Sequence, residues 1–190
     1  MSAPDSTLIN QLARCLQASP RHAEAGTYGS IFGVAASAYR FRAERDELTQ
    51  PTGFDPQAAR LFEAILESAY LVSNAGGEFD ESRRVALVHL VLRASTGMLR
   101  DRQLQGLLEA FRERLAEEGL DRRLESVARS VEKPEHAREV VRAAALLAGV
   151  SGGLRPAERG VLQRLSARLN VDDVTLTRAL QEASSVLSGR

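Results

Sequence analysis

A chain of 190 residues, 44% hydrophobic and 26% charged, has an ordinary globular composition, enough for one domain with an extension or for two small packed halves. Its 25 basic and 25 acidic residues cancel, which excludes both a global basic field for nucleic acid and an acidic tail that imitates it. A single cysteine, Cys15, excludes an internal disulfide and fits a reducing compartment.

Lys133 is the only lysine, a bias that reads as codon pressure in a GC-rich bacterial genome. The start, Met1-Ser2-Ala3-Pro4-Asp5, has neither the basic region nor the apolar run of a signal peptide. No stretch approaches the roughly 20 apolar residues of a membrane helix. The expected location is cytoplasmic.

Asp5 and Ser6 are set to cap a first helix running to about Gln17, with Cys15 as apolar filler beside Leu8, Leu12 and Leu16. Ser19-Pro20 ends it, and a second helix is expected over about 24–48 around Ile31, Phe32, Val34, Ala35 and Ala38. The break at Gln50-Pro51-Thr52-Gly53 separates an N-terminal helical extension, 1–50, from the main domain, 51–190. Asp55-Pro56 then starts a helix that stops near Asn74-Ala75-Gly76-Gly77, and Asp80 caps the next. After the break at Thr96-Gly97, Asp101 opens a helix that Gly119 closes, and Asp121 starts a short one. Lys133-Pro134, Pro156 and Asp172 or Asp173 begin the last three. No segment alternates with period two, so no sheet is expected.

Displacing the chain by 75 residues overlays Gly77 on Gly152, Phe79 on Leu154, Arg84 on Arg159 and Leu87 on Leu162. Each copy is a helix, a small-residue turn, an apolar plug and a second helix. Duplicated hairpins of this kind bury their shared faces against each other. The expected fold is all-α, a helical bundle of two pseudo-symmetric helix–turn–helix repeats.

The two turns read Ala75-Gly76-Gly77-Glu78-Phe79-Asp80-Glu81-Ser82-Arg83 and Val150-Ser151-Gly152-Gly153-Leu154-Arg155-Pro156-Ala157-Glu158. With the stretches that follow, they resemble the TerB family, the tellurite-resistance-type helical domain, over roughly residues 55–187. The resemblance implies a TerB-like bundle with a stress-response role, in some settings within a peripheral membrane-associated assembly. It also implies a turn aspartate and a helix glutamate suited to a divalent cation. This chain departs there, with Gly76 and Ser151 at the aspartate position, Arg83 at the first glutamate position and only Glu158 at the second. Hard cations need several anionic oxygens, and an arginine opposes them. The metal site is therefore expected to be degenerate, with Glu78, Asp80, Glu81 and Glu158 as weak candidate ligands and no cofactor.

His22, His89 and His136 share no ligand spacing, and no nucleophile–base motif is present. Arg40, Arg42 and Arg45, and further on Arg112, Arg114, Arg122 and Arg123, are interleaved with acids and read as solvated ion-paired faces, not as a nucleic-acid surface. Gly29, Gly33 and Ser37, at four-residue spacing, form a small-residue stripe that lets another helix approach closely. The sequence thus points to a non-enzymatic interaction or scaffolding module with a protein partner or a second copy on the N-terminal extension. The alternative is a divalent-metal-binding or sensing protein.

Overall fold

A computed structural model describes residues 6–18, 30–41, 54–77 and 79–189. Among these the fold is all-helical: α1 (Ser6–Gln17), α2 (Ile31–Tyr39), α3 (Pro56–Ala75), α4 (Glu81–Ala94), α5 (Asp101–Glu118), α6 (Leu120–Ser130), α7 (Pro134–Ala148), α8 (Pro156–Arg168) and α9 (Asp173–Leu187), with a 3-10 turn at Gly149–Ser151. No described helix is long and apolar enough to cross a membrane.

Local chemistry starts these helices where the sequence places the signals. The carboxylate of Asp55 accepts from the N–H groups of Gln57 and Ala58, 2.9 and 3.0 Å away, and Pro56 at the first position gives up no bond. Asp80 accepts from the Arg83 N–H at 2.9 Å, and Asp172 from the Thr175 N–H at 2.8 Å. Gly119 closes α5 with a positive φ of 77° and an extended ψ of 164°, not the left-handed pair of angles. The turn after α4 puts Thr96 and Gly97 at φ 53° and 74°. The second helix, expected over about 24–48, is instead capped at Ser30, whose extended backbone and hydroxyl start it, and runs over Ile31–Tyr39; the start of α1 at Asp5 and the boundary at 51–53 lie outside the described residues.

α3 and α7 form the centre. Ala143, Ala144 and Ala145 are fully buried, and their short side chains let α7 lie close against α3. α2 covers α3 through aromatic contacts, with Phe32 and Tyr39 at 5.9 and 5.0 Å between ring centroids from Phe62. α9 packs on α7, α8 and α6 pack on α3, and α1 lies across α4 and α9. The buried Ile9, Leu12 and Leu16 of α1 belong to the same core cluster as the central pair.

The two bends share several local features. α4 begins at Glu81 and α8 at Pro156, at the 75-residue spacing of the sequence overlay. Gly77 and Gly152 hold positive φ angles of 126° and 102°, which a side chain rarely adopts. The plugs Phe79 and Leu154 are half-buried against the core, Phe79 edge-on to Tyr70 at 5.0 Å. The entries differ: α3 stops at Ala75, whereas α7 tightens into the 3-10 turn before its glycine.

Candidate functional site

A helix leaves its last carbonyls without partners and carries partial negative charge at that end. Two arginines meet the end of α3. Arg83, reaching back from the first turn of α4, donates from Nη1 to the Ser73 carbonyl at 2.8 Å. Arg155, the residue before α8, donates from its own Nη1 to the Gly76 carbonyl at 2.7 Å. The end of the first hairpin helix is therefore capped by one cation from each bend.

Glu158 completes the arrangement. Its Oε1 accepts from Arg83 Nη1 at 3.2 Å, and its Oε2 accepts from the Arg155 backbone N–H at 2.7 Å, which caps the start of α8. Both side chains are buried, at 9% and 3% exposure. The two partners stand 75 residues apart, the equivalent positions of the overlaid turns. The bends thus meet at these positions, and the contact is an ion pair.

Gly76 belongs to the same device. A Cβ at this position would lie 2.4 Å from Glu158 Oε1 and 2.9 Å from its carboxyl carbon. The missing side chain at Gly76 makes the space in which the carboxylate sits. Gly76→Ala, at a φ of −82° that alanine tolerates, should cost about 1–3 kcal/mol by overpacking. Denaturant unfolding checks this: in an E158A background the added methyl should cost nothing, and an equal cost in both backgrounds would contradict the argument.

The other candidate ligands lie apart from this pair. Asp80 is exposed and spends its carboxylate on the cap of α4. Glu81 is exposed and forked by Arg84 at 2.8 and 2.9 Å, whose hydrogen bonds hold its carboxyl below the usual range. Glu78 lies outside the described residues. Among those residues no group of three or more His, Cys, Asp or Glu side chains is placed to hold a metal ion. In the small-residue stripe, Gly33 and Ser37 are half-buried on α2, and Gly29 lies outside the described residues. The Gly33 N–H bonds the Ser30 hydroxyl that caps α2, at 3.0 Å, and a Cβ on Gly33 would sit 3.2 Å from that oxygen.

One arginine corrects the reading of a solvated face. Arg123 is buried, donating from Nε and Nη2 to Glu67 at 2.8 and 3.0 Å and from Nη1 to Glu118 at 3.1 Å. It points inward because α6 packs on α3 at the turn where Glu67 would otherwise be a buried, unpaired carboxylate. Arg112 is exposed and ion-paired with Glu109, while Arg164 and Arg168 both pair with Asp121; Arg42 and Arg45 lie outside the described residues.

A cleft of about 280 Å³ opens between α2, the start of α3 and the α6–α7 link. Ala35, Leu61 and Val131 form its floor, and Arg60, Lys133 and His136 stand at its rim. Burial, helped by the Lys133 charge, pushes the His136 imidazole below its ordinary value. Asp55 and Glu132 also line it, so the rim carries both signs, and the Asp55 carboxylate already serves the α3 cap. His89 is exposed on α4.

Sequence reasoning names Arg83 and Glu158 singly, one as an obstacle to a cation and the other as a surviving ligand. The signal that joins them is the overlay itself: opposite charges at equivalent positions of two facing hairpins are placed to pair. No family model, curated protein or solved structure matches this chain.

Proposed function

We propose that this chain is a non-enzymatic, TerB-like interaction module whose paired bends are closed by an internal ion pair instead of a bound cation. The Arg83–Glu158 pair carries the reading. Its guanidinium takes the charge of Glu158 and the Ser73 carbonyl, the kinds of oxygen that a hard cation would otherwise seek. To admit a divalent ion, Arg83 would have to leave a buried position and surrender both partners. A binding role is favoured over catalysis because Asp55, one of the two acids lining the cleft, is engaged in capping, and the Ser130 hydroxyl in the same lining donates to the Val127 carbonyl.

The pseudo-symmetric repeat in this reading is supported by the shared helix starts, the positive-φ glycines and the contact between equivalent residues. The surface offered to a protein partner or a second copy is the outer side of α2. Val34 is 44% exposed there, between the half-buried Gly33 and Ser37. A stress-response setting rests on the resemblance alone. Isothermal titration with calcium, magnesium and zinc tests the proposal. No saturable heat is expected for any of the three, and a micromolar site would favour the sensor reading instead.

A further inference from the structure

Arg142 of α7 sits where three helices meet. It donates from Nη2 to the Cys15 carbonyl in the last turn of α1 at 2.6 Å. It also forks Glu182 of α9 through Nε and Nη2, at 2.8 and 2.7 Å. Nη1 faces Glu139, one turn back on α7, at longer distances of 3.2 and 3.3 Å. Two carboxylates thus share one guanidinium, and Glu139 is only 2% exposed. With both ionised, the junction holds an excess negative charge against the negative end of the α1 dipole.

We propose that this junction is a pH-sensitive latch on α1, holding its C-terminal turn when Glu139 is protonated and loosening it when Glu139 ionises. The charge balance gives the direction. A neutral Glu139 leaves Arg142 and Glu182 as a closed pair, with one Nη2 proton on Glu182 and the other on the Cys15 carbonyl. An ionised Glu139 draws the guanidinium toward Nη1, away from α1, and adds repulsion to the carbonyl end of that helix.

The titrating groups facing this point are few. α1 contributes the Cys15 thiol, which burial and then the Glu182 charge push up. α9 contributes Glu182, and α7 contributes Arg142. Among the described residues no other charge contributes to the Glu139 shift. Burial raises Glu139 from its ordinary 4.5 to about 7, Arg142 opposing and Glu182 adding to the rise. The folded state therefore holds a proton that the unfolded chain releases between pH 4.5 and about 7. The stabilisation is fully present below that window and is lost as pH rises through it.

Hydrogen exchange of the full chain at pH 6 and pH 8, corrected for intrinsic rates, tests the latch. Protection of the Leu16 and Gln17 amides, relative to Leu146 of α7, should fall by up to about tenfold at pH 8 in the wild type. The same ratio should be unchanged in E139Q, which removes the titrating carboxyl. If E139Q does not fold, the wild-type ratio and the titration of the Glu139 carboxyl carbon resonance still decide. A wild-type ratio that does not move, or one that moves equally in E139Q, overturns the proposal. So does a carboxyl carbon resonance of Glu139 that titrates near 4.5.

Discussion

Replacing Arg83 by alanine is expected to destabilise the fold by about 3–5 kcal/mol, a value read from denaturant unfolding. The variant leaves the Glu158 carboxylate at 3% exposure with no cation, and it uncovers the Ser73 carbonyl. Glu158 cannot swing out freely, because its other oxygen caps α8 through the Arg155 N–H. The lysine variant should recover only part of the loss. Its single ammonium is a point charge on a different stem, whereas the guanidinium Nη1 is held between a carbonyl and a carboxylate at once.

The second large effect is expected at Arg123, and it should be asymmetric. R123A strands Glu67, 5% exposed in the face of α3, and should again cost about 3–5 kcal/mol. E67A should cost clearly less, because Arg123 keeps Glu118, whose side chain is 39% exposed and still within 3.1 Å. The comparison of the two midpoints is the measurement. Equal losses would mean that Glu118 contributes nothing to holding the guanidinium.

The helices were legible because their boundaries are local chemistry. Asp55, Asp80 and Asp172 accept from N–H groups within three residues, and Pro56 and Pro156 fix the first helical φ, so the sequence places these starts without knowledge of the fold. The buried ion pairs were not legible in that way. Arg83 and Glu158 are 75 residues apart, Arg123 and Glu67 are 56 apart, and Arg142 and Glu182 are 40 apart. Each reads in its own segment as one more charge on an amphipathic helix, and for that reason the segment around Arg123 reads as a solvated face. What brings each pair inside is the packing of α3, α4, α6, α7, α8 and α9, and packing partners are set by the whole bundle.

The bends show both cases together. Their glycines were conspicuous, and Gly77 and Gly152 do take positive φ angles. Gly76 has another purpose: it leaves room for a carboxylate from the opposite bend. Nothing within its own turn announces that need. The paired departures at 76 and 83 make sense only when the second bend is set beside the first.

A double-mutant cycle between Arg83 and Glu158 addresses the pairing of the bends most directly, using R83M, E158M and R83M/E158M. An ion pair that joins the two hairpins predicts that the double variant loses less than the two single losses added together, by about 2 kcal/mol or more. Losses that add to within about 0.5 kcal/mol would mean that the two side chains act independently. The bends would then be held by something other than each other.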